Sequence, residues 1–335
     1  MKTWKLMAMV TLVGLLSAGP CLAISGAGAI VLEFPIGARY NALGEAGVAL
    51  AQDATAAWWN PGGLAFLRGR DVQIMQSNLV AGLADDIALY WIGYAGGFGG
   101  GNLALSLTYL DMGKQQATGE NQEDLGTFSS NMFAVGATYG FKLTPNLGVG
   151  VGAKFFHDKL ADDAFLKDRQ GGSASSFAID AGLFLKVSQQ LNAALAVSNL
   201  GPNITHVDVD QSDPMPRKLT AGLAYSLFNS EASTLLLVAD AQVPLLKWSK
   251  RDQDFGLGFG TEEVFGYGAE WSYLQSLAVR IGYKNDYVGD IQNLTWGFGI
   301  DLERWTELAI VFGFAQVPQA KGLDPVTRFS LGLRF

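Results

Sequence analysis

The sequence predicts an all-β fold: a transmembrane antiparallel β-barrel of about 14 strands, reached through an export signal. Three observations predict it. The chain opens on a secretory signal, it carries few charges for its length, and its later segments alternate apolar and small residues with a period of two.

The signal comes first. Lys2 and Lys5 form a basic n-region, and Leu6 to Leu16 form an apolar h-region of the length such signals use. Cys21-Leu22-Ala23 then offers small residues at the −3 and −1 positions of a cleavage site, so residues 1–23 are expected to be a signal peptide. Pro20 directly before Cys21 argues against a lipoprotein signal. The h-region is too short to span a membrane as a helix. Cleavage after Ala23 removes the single cysteine, so the mature chain has no disulfide to form. It also removes Lys2 and Lys5, which moves the formal net charge from −8 to −10.

Composition narrows the class. Hydrophobic residues make up 49% of the chain and charged residues 16%, against roughly 25% charged in soluble domains. So few charges cover a soluble surface poorly. An acidic chain without a basic run is also a poor nucleic-acid binder. No stretch after the signal is long and apolar enough for a spanning helix. In lipid every backbone polar group must be satisfied internally, which leaves a closed barrel.

The strands follow in order. Phe329, Leu331, Leu333 and Phe335 share one parity, and Arg328, Ser330, Gly332 and Arg334 the other. Successive strand side chains point to opposite faces, so one face is apolar and the other small or charged. Leu277-Val279-Ile281-Tyr283, Leu294-Trp296-Phe298-Ile300 and Leu147-Val149-Val151 alternate in the same way with alanine, glycine, threonine or charged residues. Strands are expected near 70–79, 85–95, 101–111, 131–141, 146–157, 174–187, 190–199, 217–227, 233–243, 263–272, 276–284, 291–301, 305–316 and 326–335. Long connections near 112–130, 158–173, 201–216 and 244–262 follow odd-numbered strands; short turns such as Thr144-Pro145-Asn146 and Ser188-Gln189-Gln190 follow even-numbered ones. Barrels of this kind keep short turns on the periplasmic side, which puts both chain ends there. Trp91, Trp271, Trp296 and Trp305 are expected in interfacial girdles. Ile87 to Ile92 and Leu235 to Val238 are apolar on both parities, so the lumen is not expected to be an open aqueous channel.

Residues 24–69 do not alternate. Gly44 to Ala51 reads as a short helix or tight turn of small residues. Asp53 is placed to N-cap a helix through Ala54 to Ala57, and Pro61 and Gly62 end it. Here Gly37-Ala38-Arg39 and the run from Leu43 to Leu64 resemble the N-terminal signature of the PorV/PorQ family of outer-membrane proteins, in the FadL-like group of barrels. Asp53, Trp59, Asn60, Pro61 and Gly62 carry the match, with Gly62 where the family usually has alanine. Gly268-Ala269-Glu270-Trp271, Leu277 to Tyr283 and Arg328 to Leu331 extend it. The resemblance implies a fourteen-stranded barrel with residues 24–69 as a partly helical internal hatch and 70–335 as the wall. It implies a role in protein secretion or surface assembly of the type IX kind through bound exported partners, or, as in FadL-like proteins, passage of hydrophobic small molecules. Lipids and the barrel-assembly machinery are the other expected partners; outer-membrane barrels resemble one another in ending on an aromatic that this machinery reads, here Phe335 with Leu333.

Little in the chain suggests chemistry. His157 and His206 have no serine or carboxylate beside them in sequence, so both read as surface histidines and no enzyme is expected. Asp208 to Asp213 lacks the glycine and terminal glutamate of a calcium loop. Gly256 to Gly260 lacks the strand-to-helix setting of a nucleotide loop. No cofactor or metal is expected. Asp180, Lys186, Glu270, Arg280 and Lys284 take the inward parity, where they are expected to pair with one another or with the hatch. The mature protein should fractionate with the outer membrane and migrate faster unheated than heated in detergent gels. A helical circular-dichroism spectrum would contradict the period-two reading.

Overall fold

The computed structural model describes residues 28–80, 82–118, 123–161, 172–206, 212–230, 232–246, 256–257, 263–287, 289–306, 309–320 and 323–335. The expected signal peptide lies outside the described residues, as do Asp208 to Gln211 of the acidic loop and Gly258 to Gly260 of the glycine run.

Among the described residues fourteen antiparallel strands form the wall: β1 (Asp71–Val80), β2 (Ala84–Phe98), β3 (Gly101–Thr118), β4 (Asp124–Lys142), β5 (Leu147–Lys159), β6 (Ser173–Lys186), β7 (Leu191–Leu200), β8 (Lys218–Asn229), β9 (Ser233–Leu246), β10 (Val264–Tyr273), β11 (Leu277–Asp286), β12 (Ile291–Asp301), β13 (Ala309–Val317) and β14 (Val326–Arg334). Each pairs with its sequence neighbours, and β14 closes on β1 from Asp71↔Arg334 to Ser77↔Arg328. Arg70 and Phe335 finish the seam with reciprocal backbone bonds of 2.7 and 3.0 Å. Closure gives each of these fourteen strands a partner on both sides. A two-residue extension, Gly256–Leu257, pairs with the far end of β9.

The alternation read from the sequence is the division of the wall into two faces. On β6, Phe177, Ile179, Leu183 and Leu185 are exposed outward while Ala174, Ser176, Ala178, Asp180 and Phe184 are buried inward. On β11, Leu277, Val279 and Ile281 are outward and Arg280 is inward. One face offers an apolar exterior and the other a lumen of small and polar groups.

Three expectations need correction. The connection expected over 112–130 is mostly strand, because β3 and β4 continue as a paired ribbon through Lys114↔Ser129 and Ala117↔Gly126. Gln115, Gln116, Thr118 and Thr127 carry no apolar alternation there, since that stretch rises beyond the apolar band. β13 begins at Ala309 rather than 305, after a turn held by Trp305 N donating to Leu302 O. Trp91 is not in a girdle. It shares the parity of Leu89 and lies buried inside, on a strand apolar on both faces whose orientation the pattern left open. Trp271, Trp296 and Trp305 are exposed.

The ends of the first and last strands meet at the short-turn end, as expected, but the preceding segment does not stay there. Gly28 N donates to Pro214 O at 3.0 Å, in the connection between β7 and β8 at the long-loop end. The seam itself is testable. Leu333 lies outward between Val72 and Ile310, and Phe335 holds Arg70. Deleting Phe335, or Leu333→Asp, should reduce the heat-modifiable folded fraction several-fold while export to the periplasm continues. Unchanged folded levels for both variants would remove the seam's role in assembly.

Candidate functional site

Residues 28–69 run down the inside of the barrel from the long-loop end to the short-turn end. Val31, Ile36, Leu43, Val48 and Leu64 are each 0% exposed, so the segment is a filling rather than a surface loop. Its secondary structure comes in short pieces. Ala38–Asn41 and Ala56–Trp59 are single helical turns, and Pro61–Phe66 is a 3-10 helix. Pieces this short have no stability of their own in water and depend on their tertiary seat.

Polar side chains of the wall provide that seat by satisfying the segment's backbone. Thr295 Oγ1 accepts from Gly44 N and donates to Ala42 O, both at 2.9 Å. Asp240 Oδ2 accepts from Gly47 N and Val48 N at 2.7 and 2.9 Å. Asp71 Oδ1 accepts from Ala54 N at 2.8 Å, and Asn102 donates to Leu64 O at 2.8 Å. Sequence reasoning singled out none of these four; for Thr295, with Gly297 and Gly299, and for Asn102, with Ala104 and Ser106, a polar side chain on an inward face of small residues was the available clue.

The residues expected to form a hatch motif lie in this segment, and Asp53 has a role other than the one expected. Asp53 is not the helix N-cap. The turn begins at Ala56, and Asp53 instead accepts from Thr55 N at 2.9 Å and from the Tyr40 hydroxyl at 3.0 Å. The Asp53 side chain therefore closes a local turn two residues on. Asn60 is the cap, of the 3-10 helix that Pro61 opens: its Oδ1 accepts from Gly62 N at 2.9 Å. Its Nδ2 donates to Val48 O and to Leu183 O of β6, each at 3.0 Å, so one side chain joins two parts of the segment to the wall. Trp59 Nε1 donates to Ile36 O at 2.8 Å, and its ring meets Trp58 edge-on at 4.6 Å. Gly62 lies against β6, where an added Cβ would fall 2.8 Å from Gly182 O.

Ion pairs fix the segment sideways. Glu270 accepts from Arg39 at 2.6 and 2.8 Å and from Arg280 at 2.6 Å, so a buried carboxylate joins segment and wall. Lys284 meets Glu45 at 2.8 Å. Asp180 pairs with Lys154 at 2.8 Å and accepts from Asn199 N at 2.8 Å, so its partners are in the wall and not in the segment. Lys186 points inward but pairs with no carboxylate among the described residues; its ammonium sits 4.1 Å from the centre of the Phe66 ring. His206 is not a simple surface histidine: its Nε2 lies 3.0 Å from the buried Asp158. His157, half-buried, contacts Ser175 Oγ at 2.9 Å. Among the described residues no cluster of histidine, cysteine and carboxylates could hold a metal.

Between segment and wall lies a cavity of about 590 Å³ at the short-turn end, lined by residues that include Arg39, Asp53, Phe66, Arg68, Lys186 and Glu270.

The sequence matches the family described as "Type IX secretion system protein PorV" over residues 22–243, which takes in this segment and most of nine strands. No curated protein matches the chain. Among solved structures, the toluene transporter TbuX of Ralstonia pickettii is similar at a TM-score of 0.57 and 14% identity, over 90% of this chain and 98% of that one. The Pseudomonas putida toluene transporter TodX gives 0.55 and 12%, over 95% and 98%. A Pseudomonas aeruginosa FadL homologue gives 0.50 and 14%, over 89% and 97%. At such identities the likeness shows the fold.

Removing one partner of a buried ion pair costs about 3–5 kcal/mol. Removing a hydrogen-bonding side chain that leaves buried groups unpaired costs about 1–3 kcal/mol. Glu270→Ala, which strands Arg280 and Arg39, should therefore lower the urea midpoint of the detergent-folded barrel more than Asn60→Ala, and Asn60→Ala more than Asp53→Ala. The reverse order would show that the Asp53 turn, not the wall contacts, holds the segment.

Proposed function

The chain belongs to the PorV family, and from that premise we propose that it is an outer-membrane barrel that serves type IX protein secretion or surface assembly by binding exported partner proteins. The family match across residues 22–243 carries this reading. Residues 1–23 would deliver the chain to the periplasm, and the barrel-assembly machinery would insert it using Leu333 and Phe335. The short-turn end would then face the periplasm and the β3–β4 ribbon the cell exterior. On this reading the barrel binds and positions; it catalyses nothing and needs no cofactor.

The filled lumen supports a binding role. Residues 28–69 are tied to the wall by Asn60, Glu270, Lys284, Thr295 and Asp240, so the molecule offers its partners two fixed ends. A second reading, a conduit for hydrophobic molecules, has one observation in its favour: two of the solved relatives in fold are named as toluene transporters. It requires the segment to leave its seat. Trp58, Trp59, Leu89, Trp91 and Met75, which pack together inside, would then line the path.

Deleting the gene should leave secreted proteins in the periplasm, and a tagged barrel should co-purify with them after cross-linking. Toluene entry into cells should not change. Normal secretion together with slowed toluene entry would replace the secretion reading with the conduit.

A further inference from the structure

The cations of the short-turn mouth fall into two kinds. Those on one side of the cavity have carboxylates in contact: Arg39 and Arg280 share Glu270, and Arg334 meets Asp301. Those on the other side do not. Lys142 and Lys186 end β4 and β6 on the inward parity; Gly148 of β5, which pairs with Lys142 and Phe184, lies under Gly62 and Phe66 of the segment. Their ammonium groups lie 5.4 and 4.1 Å from the centre of the same Phe66 ring. Arg68 follows two residues on and lines the cavity. Lys186 lines the same cavity. Among the described residues no carboxylate pairs with any of the three.

A chance arrangement of this kind is disfavoured. The chain is acidic overall, with 31 carboxylate residues against 23 lysines and arginines, yet three cations converge here without one. The ring face attracts each ammonium but leaves the net charge in place. Phe66 is also held in position, packed on Phe184 at 5.4 Å between centres. A rigid aromatic floor with like charges around it is complementary to a ligand bearing several negative charges. Arg70 gives the contrast. Its side chain lies on the outward side, beside Gly96, where a lipid headgroup would be its neighbour. The three cations of the arc belong to the lumen. Four carboxylates line the cavity, and each is engaged: Glu270 by Arg39 and Arg280, Asp301 by Arg334, Asp53 by Tyr40 and Thr55, and Asp71 by Ala54 N.

We propose that Arg68, Lys142 and Lys186, set around Phe66, form a docking site for an acidic polypeptide segment presented at the short-turn end. The carboxylates of the segment would sit between the cations, and its chain would run over Phe66 toward the cavity. An extended chain advances about 3.3 Å per residue, so carboxylates two or three residues apart reach both lysines. This rests on the secretion reading above, in which the short-turn end faces the periplasm, and adds to it that exported proteins meet the barrel from that side through an acidic segment.

The test is a titration of fluorophore-labelled hexaglutamate into the full mature barrel in neutral detergent, followed by anisotropy, with hexalysine as the charge control. Hexaglutamate should bind at low salt and weaken as salt rises, since exposed charges are screened. Lys142→Gln with Lys186→Gln should weaken it at least about tenfold, the scale of losing two charge contacts. Lys114→Gln, at the opposite end of the barrel, should leave it unchanged. The heat-modifiable band confirms that each variant is folded. Equal binding by the double variant, or no binding at low salt, overturns the site. So does a result in nanodiscs where anionic lipid abolishes hexaglutamate binding, which would assign the cations to headgroups. Hexaglutamate binding with normal secretion in the deletion strain would instead leave the site standing and remove the secretion reading.

Discussion

The inner segment and the wall meet backbone to backbone, and the missing Cβ atoms of the wall make that possible. A Cβ at Gly182 would lie 2.0 Å from Asn60 Oδ1, one at Gly150 2.3 Å from Pro61 O, and one at Gly282 2.1 Å from Gly44 N. No rotamer change relieves such overlaps where the neighbour is main chain. The glycines alternating with Leu147, Val149 and Val151 therefore serve the lumen, while the apolar residues serve the exterior. One alternation meets two requirements, since the period of the strand separates them.

Close approach raises a second requirement. A backbone that enters a lumen without regular helix or sheet brings unpaired N–H and C=O groups, and each is costly to bury alone. Thr295, Asp240, Asp71, Asn102 and Asn60 answer it one contact at a time. The ion pairs have a different part. Burying Glu270 between Arg39 and Arg280 adds little net stability against an apolar replacement. It makes other seatings expensive, because a shift of the segment would leave a charge behind.

How much of this the sequence disclosed follows from the same physics. The wall was legible because lipid outside and glycine inside force an alternation at every strand, so β6, β11 and β14 could be placed from parity. The β3–β4 ribbon beyond Asp111 was not, since nothing there is forced to be apolar. Trp91 was misplaced because β2 is apolar on both faces. In residues 28–69 the motif around Asn60 and Pro61 was visible, but the partners were not: Leu183, Thr295 and Asp240 are distant in sequence, and only closure of the barrel brings them in. Lys154 and His206 escaped for the same reason, each being defined by a carboxylate on another element, Asp180 and Asp158.

The distribution of charge also bears on what kind of partner the barrel serves. A ligand moves a protein between states only to the extent that it binds them differently. Unseating the inner segment would cost Glu270, Lys284 and Asp240 their partners in the segment together, because one stretch of chain, Arg39 to Val48, supplies all of those partners. A small apolar solute has nothing to offer those groups in exchange. A polypeptide has amides, carboxylates and ammonium groups that could replace them, or it could bind at the ends and leave the segment seated. The second course breaks none of these contacts, and the uncompensated cations lie at an end, at the mouth around Phe66, and not along the seat. The interior is arranged to stay closed, and the capacity for binding charged partners is left at the rim.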